Sequence, residues 1–221
     1  MNKAPEEGKI WEWRAFGHIS DKVARKVRAY PIRMGISNLR GEDIYLISPA
    51  SDQNIKLRSS SAGMYLKIKL LLETRPGAFE LYRESIQYNY SFPVSFEILE
   101  EAARLLKVTL PDDVSATKKF SEVEAVGALA RSSPPAVRVD VKKVRSQYQF
   151  DDGWIEIGVV EFSRQRAETI SIHSVNLEPI RRMIDKLEPG EELEAMNYIE
   201  ACRRWGIDAI GYENHDSKSD A

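Results

Sequence analysis

The sequence predicts an α+β protein built on a mainly antiparallel β-sheet or closed β-barrel, with helices packed outside it. Strand-like segments occur in both halves of the chain and are separated by helical segments near the middle. Hairpin turn signals join neighbouring strands, as at Asp151-Asp152-Gly153. The regular strand–helix alternation of a parallel sheet is absent from the sequence.

The first half of the chain is predicted to contain five strands and one helix. Residues 9–16 alternate in polarity and are rich in aromatic side chains, which is typical of a strand. Ser20 is a suitable N-cap for a helix that continues to about Ala29, and Pro31 limits its length. The other predicted strands are 43–47, 54–58, 64–72 and 78–85.

The rest of the chain, from about residue 95, is predicted to contain four helices and three strands, assigned from the spacing of apolar residues. The helices are expected at about 95–107, 119–130, 177–187 and 191–204, and the strands at 136–150, 154–161 and 168–174. Residues 1–210 are expected to form a single domain. Residues 211–221 are polar and are expected to be a disordered tail.

Composition limits the classes of function. The chain has 221 residues, of which 43% are hydrophobic and 30% charged, as is typical of a soluble globular protein. The net charge is −2, so any attraction for polyanions must come from local clusters of cations. A single cysteine, Cys202, excludes an internal disulfide and a cysteine-based zinc cage. Neither a signal peptide nor a membrane-spanning run is evident, so a cytoplasmic protein without a membrane partner is expected.

Three pairs of basic residues, each separated by one residue, lie within predicted strands. They are Lys56 and Arg58, Lys67 and Lys69, and Lys143 and Arg145. Alternate side chains of a strand point to the same face, so each pair places two cations together. That face is either exposed to water or surrounds a site for a multiply charged anion, because a core does not accept unpaired cations.

Carboxylates accompany these basic pairs. Glu12 and Arg14 share one face of the first strand, and further carboxylates occur in later strands. Mg²⁺ and Mn²⁺ bind such groups together with water and phosphate oxygens, whereas simple ion pairing with a neighbouring strand is the alternative. The sequence contains no glycine-rich phosphate loop, no HExxH and no GxSxG motif, and its three histidines lack ligand-like spacing.

In chain order, these residues resemble the motifs of the CYTH family of triphosphate tunnel metalloenzymes. The family includes thiamine, inorganic and RNA triphosphatases and class IV adenylate cyclases. Its opening ExExK strand resembles residues 10–14, where Glu12 and Arg14 match and Ile10 replaces the first glutamate. The family's D-x-Y, R-x-R-type, lysine-bearing and glutamate-bearing strands resemble residues 43–45, 56–58, 65–69 and 79–83.

The resemblance continues through the second half of the chain. The K-x-R-x-x-Y motif resembles residues 143–148, and the closing SY-x-x-L/I motif is similar to residues 196–199. The strand 154–161 occupies the place of an acidic strand, with Glu161 as the preferred acid and Glu156 as the alternative. The family's E-x-E strand corresponds to residues 169–173, which carry no paired carboxylates.

The resemblance implies an antiparallel eight-stranded barrel that forms a charged tunnel. Its implied catalytic residues are Glu12 and Arg14, and its implied ligands for Mg²⁺ or Mn²⁺ are Glu12, Glu80 and Glu161. Loss of the other family carboxylates weakens the metal assignment more than the anion-binding assignment. The implied phosphate-binding residues are Arg14, Lys56, Arg58, Lys67, Lys69, Arg83, Lys143 and Arg145.

Three functions stay open at this point. The first is divalent-metal-dependent hydrolysis of a small triphosphate compound. The second is a non-catalytic module that binds a polyphosphate, a nucleotide or the 5′-triphosphate end of a nucleic acid. The third is a partner-binding protein whose cationic faces are solvated and whose Trp11, Trp13 and Trp154 are exposed contacts. The sequence specifies neither the substrate nor the oligomeric state.

Overall fold

The structure is a computed structural model that describes residues 8–60, 63–83, 88–163 and 165–207. These residues form ten strands, five α-helices and one π-helical segment. The strands are β1 (Lys9–Gly17), β2 (Leu39–Ser48), β3 (Ser51–Ser60), β4 (Gly63–Arg75), β5 (Phe79–Arg83), β6 (Asn89–Ser91), β7 (Val137–Phe150), β8 (Gly153–Glu161), β9 (Arg166–Ser174) and β10 (Leu193–Ala195). The helices are α1 (Asp21–Arg28), α2 (Phe96–Leu106), α3 (Glu122–Ala130), α4 (Leu177–Leu187), α5 (Tyr198–Ala201) and the π-helical segment (Cys202–Gly206).

Eight of the strands form a closed antiparallel barrel. They follow the order β1-β5-β4-β3-β2-β7-β8-β9, and β9 pairs with β1 to close the ring. The short strands β6 and β10 add to β4 and β1. The predicted α+β class and eight-stranded closed barrel are therefore confirmed.

The helices cover the outside of the barrel. Helices α2 and α3 pack on outward apolar side chains of β3 and β4, such as Ile55 and Leu66. Helices α1 and α4 pack on the other side, against Ile170 and Ile172 of β9 among others. The Ser20 side chain caps α1, as predicted, by accepting a hydrogen bond from the Val23 backbone N–H. None of the helices in the described residues has the length and apolar character needed to cross a lipid bilayer.

One end of the barrel interior is filled by apolar side chains. Phe16, Tyr45 and Val139 from the strands pack there against Tyr198 and Cys202 of the closing helical segments. We call this group the interior plug. Gly206 contributes to its tight packing, because a Cβ at that position would lie 2.2 Å from Cγ1 of Val139. The interior plug fills the end of the barrel at which β1 ends. The polar part of the interior therefore lies toward the end at which β1 begins.

The structure corrects two element predictions. The helix predicted at 191–204 is interrupted: β10 pairs with β1, and only then does Asn197 cap the short helix α5 through its side chain. A single periodic pattern conceals this change because β10 has only three residues. The strand β6, also of three residues, is too short for a visible alternation and was not predicted. The predicted tail 211–221 lies outside the described residues.

Truncation of a buried helical valine should test the packing of α1 on the barrel. Val23 in α1 is 1% exposed, whereas Val123 in α3 is 75% exposed. We expect Val23→Ala to lower the free energy of unfolding by about 1–3 kcal/mol, because buried methyl groups are lost. The same change at Val123 should stay within about 0.5 kcal/mol of wild type. Urea unfolding of both variants measures the difference, and similar losses at the two positions would contradict the assigned packing.

Candidate functional site

Most of the predicted site residues surround one cavity inside the barrel. Its volume is about 110 Å³. Strand alternation brings the inward side chains of six barrel strands to it, and Tyr198 of α5 lies on the side of the interior plug. The lining consists of Glu12, Arg14, Asn54, Lys56, Arg58, Lys67, Lys69, Lys143, Arg145, Gln147, Trp154, Glu156, His173 and Tyr198.

The basic pairs face this cavity and not bulk water. Lys56, Lys67, Lys69 and Lys143 are each between 6% and 8% exposed. Burial of this extent is incompatible with a solvated cationic sheet face, so the partner-binding alternative loses its premise. Of its proposed aromatic contacts, Trp11 and Trp13 are buried beneath α1 and α4, and Trp154 is half-buried and lines the cavity.

Asp43 is the anion that holds one group of these cations together. Its carboxylate accepts hydrogen bonds from Arg58 Nε and Nη2, both at 2.8 Å, and from Lys143 Nζ, and it lies 3.4 Å from Lys56 Nζ. Burial opposes the charge, but Lys56 and Arg58 hold the pKa of Asp43 far below its usual range. Asp43 is not among the site residues predicted from the sequence, although its Asp-x-Tyr motif was a visible signal.

Glu12 and Arg14 form the centre of a second network. Glu12 Oε1 accepts from Arg14 Nε at 2.9 Å, and Glu12 Oε2 accepts from Lys69 Nζ at 2.5 Å. Burial alone would raise the pKa of Glu12, but the charges of Lys69 and Arg14 keep it well below its usual value. Arg14 also donates to Thr169 Oγ1 at 3.1 Å and stacks over the Tyr198 ring. Glu12 is thus an ionised carboxylate that is already paired with two cations.

The acidic residue of β8 that faces the tunnel is Glu156, and the preference for Glu161 was wrong. Glu156 is 5% exposed and accepts from Arg145 Nη1 at 2.9 Å and from Gln147 Nε2 at 2.7 Å. Burial raises the pKa of Glu156, but Arg145 and Arg14 overcome this effect and lower it to about 2. Glu161 is exposed because it lies five residues further along, an odd interval that reverses the face of a strand.

Arg83 is also placed outside the tunnel, contrary to its predicted phosphate-binding position. Glu80 and Tyr82 of β5 point inward, since the Tyr82 hydroxyl donates to Glu80 Oε2 and its ring lies beneath Lys69. Arg83 follows Tyr82 directly and therefore points to the outer face. The side chains of adjacent strand residues point to opposite faces unless a bulge lies between them.

Glu80 faces Glu12 across the β1–β5 ladder and is the least ionised of the tunnel carboxylates. The two residues are directly paired, and Glu80 also accepts from Asn197 Nδ2 at 2.8 Å. Burial first, and the negative charge of Glu12 second, raise the pKa of Glu80 to about 7. Near neutral pH this carboxyl group is therefore about half protonated.

Strand β9 carries a serine–histidine pair on its inward face. His173 Nε2 lies 2.8 Å from Ser171 Oγ, and its Nδ1 lies 3.6 Å from Glu12 Oε2. Burial is the main cause that lowers the pKa of His173 to about 4, so the imidazole is neutral at pH 7. Ser171 is completely buried and does not line the cavity. The pair thus supports the wall and supplies no additional negative charge.

The carboxylates present do not fit a divalent metal site. Among the described residues, no group of three or more histidine, cysteine or acidic side chains is arranged to hold a metal ion. Both oxygens of Glu12 and of Asp43 and one oxygen of Glu156 already accept bonds from lysine, arginine or glutamine. The two oxygens of Glu80 accept from Tyr82 and Asn197. Hard cations require oxygen ligands that are free to coordinate, and a Mg²⁺ site usually includes one or two carboxylates. The predicted metal ligands therefore do not form a Mg²⁺ or Mn²⁺ site in this arrangement.

Removal of the Asp43 charge should destabilise the barrel strongly. Asp43→Asn leaves its bound lysines and arginine without their anion, and we expect a loss of about 3–5 kcal/mol in the free energy of unfolding. Asp140→Asn is the matched control, because Asp140 is exposed on the outer face of β7 and pairs with Arg138. The control should change stability by about 0.5 kcal/mol or less. Equal urea midpoints for the two variants would refute the assigned role of Asp43.

Glu80 should make stability fall as the pH rises toward neutrality. Its pKa is near 4.5 when unfolded and about 7 when folded, so between these values the folded state holds an additional proton. The contribution of protonated Glu80 to the free energy of unfolding is complete below about pH 4.5 and is lost as the pH rises through about 7. In urea unfolding across this range, Glu80→Gln should flatten the decline, whereas Glu100→Gln on the exposed face of α2 should retain it. An unchanged slope in Glu80→Gln would exclude Glu80 as its source.

No protein-family model matches the chain, and no curated protein matches it significantly. Among solved structures, HpAC1 from Hippeastrum, a candidate adenylyl cyclase with a dominant triphosphatase activity, aligns with a TM-score of 0.50 at 9% identity. The alignment covers 92% of this chain and 100% of that chain. A candidate adenylate cyclase from Bacillus halodurans aligns with a TM-score of 0.49 at 13% identity, over 88% of this chain and 98% of that chain. At such identities the comparison shows the fold alone, which this chain shares with HpAC1.

Proposed function

We propose that the protein binds a small polyphosphate anion, such as a triphosphate group, inside the tunnel, without a divalent metal ion. The observation that carries this proposal is the imbalance of charge around the cavity. In the described part of the chain, seven cationic side chains line it, whereas four carboxylates face the interior. The formal excess of three positive charges favours a multiply charged anion, which would also offset the burial that lowers the pKa of Lys56 well below its usual value. The four carboxylates are Glu12, Asp43, Glu80 and Glu156.

The types of cation and their placement suit phosphate oxygens. Arg58 and Arg145 present planar guanidinium groups that can bind phosphate through two hydrogen bonds, and the lysines act as point charges. Burial, followed by repulsion from Arg58, lowers the pKa of Lys143 to about 8, so Lys143 is mostly protonated at pH 7. A bound anion would stabilise this charged form further, because it supplies the missing negative charge.

A second candidate function is divalent-metal-dependent hydrolysis of a triphosphate compound. The observation that favours it is the direct pairing of Glu12 and Glu80 on the tunnel face of β1 and β5. The 2.5 Å ion pair between Glu12 and Lys69 opposes it, because Lys69 occupies a carboxylate oxygen that a metal ion would need. We therefore rank metal-independent binding first.

Substitution of a lysine that lines the cavity should weaken anion binding. Substitution of its exposed neighbour changes the net charge equally and should not weaken binding. Lys142 and Lys143 are adjacent in β7, but Lys142 is exposed and Lys143 lines the cavity. In calorimetry with tripolyphosphate and EDTA at pH 7, we expect Lys143→Gln to weaken binding roughly 10-fold or more, because a charge-assisted hydrogen bond is lost. Lys142→Gln should bind as wild type does. Equal affinities of the two variants would contradict binding in the tunnel.

Measurements of tripolyphosphate binding and of phosphate release separate the two candidate functions. Tripolyphosphate binding by the wild-type protein in EDTA supports the metal-independent proposal. Release of inorganic phosphate only with Mg²⁺ or Mn²⁺, abolished in Glu12→Gln, would favour hydrolysis instead. Absence of both binding and phosphate release would refute both functions.

A further inference from the structure

The segment between α1 and β2 carries an arginine that was not predicted as a site residue. Beyond the last pair of the β2–β7 ladder, which is Leu39 with Arg145, residues 31–38 take the place of β2 beside β7. Arg33 N donates to Gln147 O at 2.8 Å, and Gln147 N donates to Ile36 O at 2.9 Å. These bonds fix Arg33 next to an inward-facing residue of the barrel.

The side chain of Arg33 reaches the wall of the cavity. Its Nη1 donates to Gln147 Oε1 at 2.9 Å, and its guanidinium carbon lies 4.4 Å from the centre of the Trp154 ring. Gln147 and Trp154 both line the cavity. Trp154 lies at the end of β8 opposite to Val160, which packs against the residues of the interior plug, so Arg33 lies at the outer end of the barrel interior.

Arg33 differs from the arginines that line the cavity in its partners. Arg14, Arg58 and Arg145 each contact a carboxylate. Within the described ranges, Arg33 contacts an amide oxygen and an aromatic ring, and no carboxylate oxygen lies within 4.0 Å of it. An amide and a ring leave its positive charge uncompensated. An anion that approaches Arg33 therefore does not have to displace a carboxylate.

The chemistry of the Arg33 guanidinium group allows it to bind an anion while it contacts the Trp154 ring. It carries five N–H donors, and stacking on an indole ring uses its face while its edge stays available for hydrogen bonds. A phosphate group can accept two of these bonds in parallel. The link from Arg33 through Gln147 to Glu156 and Arg145 connects this edge with the cations deeper in the tunnel.

We propose that Arg33 is a further anion-binding residue, which binds the outermost phosphate group of the tunnel ligand and favours a longer over a shorter polyphosphate. This inference rests on the proposed function. The inner cations hold the first phosphate groups near the plug, and only a chain that extends toward Trp154 reaches Arg33. Arg33 is thus a specificity residue for ligand length.

Calorimetry with tripolyphosphate and with pyrophosphate tests the inference. We expect Arg33→Gln to weaken tripolyphosphate binding roughly 10-fold and pyrophosphate binding distinctly less, because the lost contact involves the outermost phosphate. Arg28→Gln, an exposed position on α1, is the matched control and should bind both anions as wild type does. A purely structural role of Arg33 would weaken both anions equally, so an unchanged ratio of affinities overturns the inference.

Tryptophan fluorescence provides a second measurement that does not depend on affinity. If the ligand draws Arg33 away from the indole ring, tripolyphosphate should change the emission of the wild-type protein, and the change should disappear in Trp154→Phe and in Arg33→Gln at saturating ligand. A signal that persists in Arg33→Gln would contradict the inference. A wild-type protein that binds neither anion would refute the proposed function itself, whereas wild-type affinities in Arg33→Gln would overturn this inference alone.

Discussion

The structure depends on the pairing of buried cations with a smaller number of buried carboxylates. Desolvation of each charged group costs several kcal/mol, and an opposite charge at hydrogen-bond distance must offset it. Asp43 does this for Lys56, Arg58 and Lys143, and Glu12 does it for Arg14 and Lys69. The barrel can therefore close around charged side chains, but each carboxylate is used in the process.

This use of the carboxylates connects stability with function. A carboxylate whose oxygens accept bonds from lysine or arginine is a poor ligand for Mg²⁺, because the metal would have to displace a cation and leave it buried without a partner. The same network still carries an excess of positive charge around the cavity. An arrangement of this kind is better suited to hold an anion than to hold a metal ion.

The two ends of the interior serve different purposes. The plug of aromatic and aliphatic side chains is built from strands and from the closing helical segments, and it stacks Tyr198 on Tyr45 directly beneath the charged part. At the other end, Trp154 is held between the His173 ring and the Arg33 guanidinium. On the proposed function, an anion would enter at the Trp154 end, and the plug would limit how deeply it can penetrate.

The sequence by itself determined the strands, their alternation and the grouping of each basic pair on one face, because these follow from the two-residue period of a strand and from local turn chemistry. It also indicated the closed barrel through the order of its motifs. Three-residue strands such as β10 carry too little pattern to be recognised. Only the tertiary structure decided which face is inside, since that depends on closure between β1 and β9, strands that are far apart in the sequence.

The same reason explains the individual site residues that were wrong or absent. The choice between Glu156 and Glu161, and the outward position of Arg83, depend on strand register, which cross-strand pairing fixes. Arg33 belongs to a segment without strand or helix periodicity, and its place beside Gln147 results from backbone pairing with a strand more than 100 residues away in the chain. Local sequence therefore specified which charges lie together, and the closed barrel decided which of them enclose the site.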